Sequence, residues 1–282
     1  MRIFISCDME GCTGIVHNDQ LVPGKFDYAR GRELMTRDVV AAASAALSHD
    51  GVRSVTVCDG HGTMRNLLIE KFPVGCEIVT GPASSKTLCQ SEGLDGSYAA
   101  VMYVGFHSRA GTKDGLLSHT WIGSLVHEIR VNGKVFGETA LNAAIAGAHG
   151  VPAVFLCGDD AACREAKADL GPQLVTVSVK RATGPKAAVC KPPAQTEADI
   201  RLGVLTALQE LKQHRPFVVA GPVEFAIVFH QVAQADRAAK RPGVERSGDR
   251  EVRFTRPDYL AAVREAWQVL EWTASENPEW LQ

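Results

Sequence analysis

The chain has 282 residues, 45% hydrophobic and 22% charged, with a net charge of −2. That length can bury a sizeable core, as one large domain or two lobes, and the composition is that of a soluble globular protein. The charge balance gives no long-range pull toward nucleic acid or an anionic membrane, and no apolar run approaches the ~20 residues of a membrane helix.

The opening MRIFISCDME passes from a strand over 2–6 straight into polar residues, without the succession of an export signal. A long Ala-rich helical stretch over 29–51 follows and ends at Gly51, a residue suited to a helix stop. Strands are predicted over 54–59, 76–81 and 99–106. Alternation around Asn132-Gly133 within 125–138 predicts a hairpin with a two-residue type I′ turn. A helix over 138–150 and a strand over 151–159 come next. Beyond residue 182 the chain reads as a Pro/Gly-rich connection, leading to a helix over 197–214, a strand over 223–230 and a final helix over 257–272. Strands alternating with helices predict an α/β fold, a doubly wound and mostly parallel sheet with a smaller C-terminal α+β part. The predicted division is a main α/β domain over 1–182 and a smaller α+β C-terminal part over 183–282. The eight cysteines, at 7, 12, 58, 76, 89, 157, 163 and 190, lie mostly in apolar runs and form no CxxC pair. They read as buried free thiols in a reducing cytoplasm rather than a thiolate zinc site.

Ligands of open α/β sheets bind beyond the carboxyl ends of the strands, so polar residues at those ends carry the information. The first strand ends in Asp8 and Glu10, the second in Asp59, Gly60 and His61. His107 follows the run VMYVGF, Asp159 and Asp160 follow VFLCG, His119 lies in LLSHTW, and Glu138 starts a helix after the hairpin. A strand continuing through residue 10 would put Asp8 and Glu10 on one face. Two carboxylates that close repel each other, and burial adds to the cost unless a cation or a shared proton neutralises them. Three acids and two imidazoles without thiolate suit zinc or another first-row divalent ion. Five ligands exceed the usual set for one ion, which points to two metals sharing a carboxylate. Each residue alone also has a plainer role: a cap, a loop histidine, a core histidine or a helix-initiating acid. His17, His49, His127, His149, His214 and His230 have no matching context and read as structural.

DMEGCTG also resembles the nucleophile loop of haloacid dehalogenase-type phosphatases. There Asp8 would attack phosphorus, Glu10 would serve as acid/base, and Asp159 and Asp160 would hold magnesium. Against this, Glu10 is a methylene longer than the expected Asp, and Cys12 stands where Thr is expected. The strand-end histidines would have no role, and no clear lysine element separates the two motifs.

The segments SCDMEG (6–11), DGHGTMRN (59–66), GFHSRAG (105–111), LSHTW (117–121) and GKVFGETALNA (133–143) together resemble the D-aminopeptidase family of zinc peptidases, peptidase family M55. Ser6, Asp8, Glu10 and Gly11 carry its most specific signature, and the likeness runs through nearly the whole chain. The resemblance implies a two-zinc site with Asp8 as the bridge, Glu10 and His61 on one metal, and His107 and Glu138 on the other. His119 matches the family's additional active-site histidine. The implied activity is release of the N-terminal residue of short peptides or amino-acid amides, of D configuration, by a metal-activated water. Either a metal or an acid such as Asp59, Asp159 or Asp160 would take the substrate amino group, and Asp59 could instead orient a ligand histidine. The family also implies a ring-like homo-oligomer, such as a decamer. A non-catalytic metal-storage or small-molecule-binding protein would instead need a site saturated by its own ligands.

Overall fold

The computed structural model describes residues 1–275, so the last seven residues of the predicted C-terminal part lie outside the described residues. The first strand, β1 (Arg2–Cys7), is followed by helix α1 (Tyr28–Ser48), β2 (Ser54–Asp59), β3 (Cys76–Val79) and β4 (Ala100–Phe106). Next come β5 (Val126–Val131), β6 (Lys134–Val135), α2 (Glu138–Ala148), β7 (Ala153–Asp159) and α3 (Asp160–Leu170). The chain continues through β8 (Val175–Gly184), β9 (Ala187–Cys190), α4 (Pro193–Gln209), β10 (Val223–Phe229) and α5 (Val232–Ala238). It ends with β11 (Glu245–Gly248), β12 (Glu251–Arg256) and α6 (Tyr259–Ala274).

Among the described residues, seven strands form one sheet in the order β3-β2-β1-β4-β7-β8-β9, parallel except for the β8–β9 pair. This is the α/β, doubly wound arrangement that the sequence predicts. The central strands are apolar on both faces, as parallel strands covered by helices must be. Ile3, Ile5, Val55 and Val57 pack toward α1 and α4. Phe4, Val101 and Tyr103 alternate with them and pack into a second core with α2, α6 and the other sheet. The Ala-rich face of α1, including Ala42, Ala43 and Ala46, is fully buried against this sheet. Five strands form the second sheet, ordered β11-β12-β10-β5-β6 and antiparallel. It draws β5 and β6 from the middle of the chain and the rest from its end. Asn132 (φ 48°) and Gly133 (φ 78°) close β5 onto β6, the backbone that a type I′ turn requires.

The segment read from sequence as a Pro/Gly-rich connection is ordered differently. β8 runs on to Gly184 and turns through Pro185 into β9, so that Arg181 pairs with Val189 and Ala182 with Ala188. Its Gly and Pro residues serve the hairpin turn and the entry to α4, where Pro193 occupies the first turn. α4 therefore starts four residues before the predicted position. A further helix, α3, begins at Asp160, capped by the Asp159 side chain on the Ala162 amide.

β1 lies between β2 and β4, and the order of connections reverses there. The crevice beyond the carboxyl ends of β1, β2 and β4 is thus the topological switch point where such sheets bind ligands. A separate cavity of about 320 Å³ between α1 and α4, lined by Arg37, Leu68, Glu197 and Arg201 among others, shares no residue with that crevice. No described helix is long and apolar enough to cross a membrane.

On α1, Asp38 is fully buried and accepts from the Thr13 amide at 2.7 Å. Burial raises its carboxyl from 3.8 to about 6, against the hydrogen bonds from Thr13. Between those values the folded chain binds more protons than the unfolded chain, so its stability falls as pH rises. D38N keeps an acceptor for Thr13 without the charge. Its stability advantage over the wild type should grow between about pH 4 and pH 6, reach up to about 3 kcal/mol, and stay flat above. Urea melts across that range check this; a pH-independent difference would contradict it.

Candidate metal centre

β1 stops at Cys7, so Asp8 and Glu10 do not share a strand face as the period-two expectation required. A tight turn follows, with the Cys12 amide bonded to the Met9 carbonyl, and this turn brings both carboxylates to the same side. The Asp8 amide still bonds the Val104 carbonyl of β4, which anchors the turn to the next strand. The approach is close: a Cβ on Gly105 (φ +77°) would lie 2.2 Å from the Asp8 carbonyl oxygen. Only glycine fits there. Behind the turn, the buried Lys180 ammonium from β8 donates to the carbonyls of Glu10, Cys12 and Ile15, the last two at 2.6 Å. Burial lowers the Lys180 pKa.

His61 stands in a loop folded around Asp59. One Asp59 oxygen accepts from the amides of Asn66 and Leu67, the other from the Asn66 side chain, which also donates to the His61 carbonyl at 2.7 Å. Asp59 therefore shapes the loop through Asn66 and does not touch the His61 ring. His107 directly follows β4, and Glu138 opens α2, where its charge favours the helix start.

Six side chains gather in two groups, each with potential ligand atoms within 4.8 Å of one another: Asp8, Glu10 and His61, and His107, His119 and Glu138. Asp8 joins them. Its Oδ1 is 3.2 Å from His61 Nδ1, and its Oδ2 is 3.3 Å from His107 Nε2. Glu10 Oε2 is 2.9 Å from the same His61 nitrogen. Glu138 Oε1 is 3.4 Å from His107 Nε2 and 3.9 Å from His119 Nε2. The His107 and His119 rings stack at 4.1 Å.

Each histidine is aimed by a backbone carbonyl that accepts from its other ring nitrogen. Leu21 holds His61 Nε2 at 3.0 Å, Ser108 holds His107 Nδ1 at 2.9 Å, and Leu117 holds His119 Nδ1 at 3.0 Å. This fixes the tautomer that leaves the lone pair facing inward, a usual support for a metal-ligating imidazole. His107 Nε2 is buried and has no hydrogen-bond partner, although two carboxylates flank it. A donor set of nitrogen and carboxylate oxygen with such an orphaned, inward-facing nitrogen fits zinc.

The charges are strongly coupled. Burial would raise the Asp8 carboxyl, but the positive charge of the flanking His107 and His61 imidazoles, with the His61 hydrogen bond, outweighs it and holds it well below its ordinary value. Burial would lower His61 and His107, yet the surrounding carboxylates hold both well above theirs. Such a cluster calls for positive charge, which a bound cation would supply in place of imidazole protons.

The structure brings all five predicted ligands and His119 to one crevice. Asp159 and Asp160 lie elsewhere: Asp159 caps α3 and accepts from the Leu116 amide, and Asp160 pairs with Arg164. The acidic pair needed for the phosphatase arrangement is therefore not assembled with Asp8, and the Asp59 and Asp159 carboxylates are occupied by backbone and side-chain donors. Sequence reasoning missed Lys180 and the carbonyls of Leu21, Ser108 and Leu117. Lys180 sits in an ordinary alternating strand, and carbonyls leave no trace in residue identity.

A doubly wound sheet with paired acid and imidazole clusters at its switch point makes a candidate metal centre. The chain belongs to the D-aminopeptidase family of peptidases, whose sequence profile matches residues 1–267. A D-aminopeptidase of Bacillus subtilis (strain 168) is 32% identical over 265 residues, covering 94% of each chain. The solved zinc-dependent D-aminopeptidase DppA of Bacillus subtilis, described as a self-compartmentalizing protease, superposes with a TM-score of 0.92 at 31% identity, over 97% of this chain and 98% of that one.

K180M would leave the carbonyls of Glu10 and Ile15 without a donor, at a cost of about 1–3 kcal/mol each, while that of Cys12 keeps the Ile15 amide. Thermal unfolding of the metal-free variant should occur several degrees below the wild type, and zinc binding should weaken through Glu10. An unchanged melting midpoint would show that Lys180 does not hold the turn.

Proposed function

We propose that this protein is a zinc-dependent aminopeptidase that releases the N-terminal residue, of D configuration, from short peptides and amino-acid amides at a two-zinc centre. The observation that carries this reading is the Asp8 carboxylate, with one oxygen turned to His61 and the other to His107. Asp8, Glu10 and His61 would hold one ion, and Asp8, His107 and Glu138 the other. Three protein donors per ion leave coordination positions open, as catalytic sites need and storage sites do not. Zinc held there supplies Lewis acidity toward a peptide carbonyl and lowers the pKa of water from ~15.7 toward ~7.

His119 is the most exposed of the three imidazoles, its side chain 26% accessible against 9% for His61 and 0% for His107. With Nδ1 given to Leu117, its Nε2 is the atom free to exchange a proton at the rim of the site. Its role is to protonate the departing amine or steady the developing oxyanion, rather than to complete the second ion's shell. The zinc dependence and D-substrates of the Bacillus proteins support the metal and the stereochemistry.

A ring-like homo-oligomer belongs to the same proposal. A self-compartmentalizing relative supports it, as does Phe26, 93% exposed on the loop that follows Leu21. A cytoplasmic location is part of the reading too, supported by eight free cysteines, most of them buried.

Matched D- and L-aminoacyl p-nitroanilides, assayed with zinc and after chelation, test the activity. Hydrolysis should favour the D series and vanish on chelation; chelator-insensitive turnover would overturn the reading. D8A should lose both metals and all activity. H119A should retain both metals while kcat falls roughly 10²–10⁴-fold. Full activity in H119A would remove its proton-transfer role.

A further inference from the structure

Glu138 is held on both oxygens by groups that are not metal ligands. Oε1 accepts from the Trp121 amide at 2.6 Å, and Oε2 accepts from the Gln90 side-chain amide at 2.5 Å. Gln90 is itself buried and fixed. Its Oε1 accepts from Asn142 Nδ2 at 2.6 Å, and its backbone carbonyl accepts from Ser6 Oγ at 2.8 Å on the strand that leads to Asp8. Cys89, just before it, adopts φ 51°, uncommon for a residue with a side chain. Across from it stands Gly60, where a Cβ would lie 2.7 Å from Gln90 Cγ.

The direction of the Gln90 amide follows from the network. Asn142 Nδ2 also donates to the Glu138 backbone carbonyl at 2.9 Å, and a carbonyl can only accept. The Asn142 amide is therefore oriented with its NH₂ toward Gln90 and its oxygen toward the Ser91 hydroxyl, 2.6 Å away. The Gln90 oxygen must face Asn142, which leaves the Gln90 NH₂ for Glu138. Asn142 lies one turn beyond Glu138 on α2, so ligand and support move as one body.

The geometry points to Gln90 as a positioning residue that occupies Oε2 of Glu138, leaves only Oε1 to face His107 and His119, and thereby sets the affinity of that metal position above the other. This rests on the two-zinc reading above. No hydrogen bond of the network goes to Glu10 or His61; it meets the first position only through Ser6 on β1 and the packing of Gly60, so its effect there is the smaller one.

The test is zinc titration of the chelator-stripped full chain against a chromogenic competitor, with thermal melts of the metal-free proteins alongside. Q90M removes the donor at nearly constant length. N142D is isosteric and touches no predicted ligand side chain, but it cannot donate, so the Gln90 amide must turn its oxygen toward Glu138. Wild type should bind two equivalents. Both variants should keep the Asp8/Glu10/His61 equivalent within about threefold and lose roughly 10–100-fold at the other, the usual effect of removing a support behind a metal ligand. Activity should return as free zinc is raised. Should Q90M fail to fold, N142D decides. Two equivalents of wild-type affinity in a folded variant, or equal weakening of both, would overturn the assignment of Gln90. Fewer than two equivalents in the wild type would instead defeat the two-zinc reading itself.

Discussion

One carboxylate, Asp8, turned toward two buried imidazoles from opposite oxygens, is the constraint that the rest of the structure satisfies. An acid with almost no solvent, next to two more buried acids, is unfavourable unless positive charge meets it. The acids around His61 and His107 hold both imidazoles well above their usual titration range, the mark of a site built to receive positive charge. The fold can place Asp8 there because β1 lies at the switch point of the sheet, where the ends of β2 and β4 open on either side. Each neighbouring strand then delivers one histidine.

Holding such a cluster takes more than its six members. Three backbone carbonyls set the imidazole tautomers, Lys180 fixes the turn carrying Glu10 from behind, and Asp59 closes the loop carrying His61. Donors and acceptors around Glu138 are matched through Gln90, Asn142 and Ser91. Because Lys180, Asp59 and Asn142 sit on packed strands and a helix and the loop supports are tied to them or to the ligands by hydrogen bonds, the structure holds the ligand atoms in place. Preorganisation of this kind is what lets a metal centre act on a substrate without first reorganising the protein.

Much of this was legible in the sequence, unevenly. Strand ends could be read because apolar β-prone runs stop abruptly at Asp8, Asp59, His107 and Asp159, and the switch-point rule says which ends matter. The period-two argument for Asp8 and Glu10 failed, since β1 ends at Cys7 and a turn does the work. The β8–β9 hairpin was hidden because its Gly and Pro look the same in a connection as in a tight turn. Gln90 and Lys180 were invisible for a different reason: an amide on a loop and a lysine in a strand acquire meaning only from which buried partners they meet. Asp159 and Asp160 show the converse. Their sequence context suggests chemistry, and the structure uses them to start a helix.

The account stands or falls on Asp8 as a bridge. Crystals of the zinc-loaded protein, measured on either side of the zinc absorption edge, report it most directly. Two anomalous peaks about 3.5–4 Å apart, with one Asp8 oxygen on each, are the expected result. A single peak within the Asp8, Glu10 and His61 group, with His107 and Glu138 left bare, would contradict it.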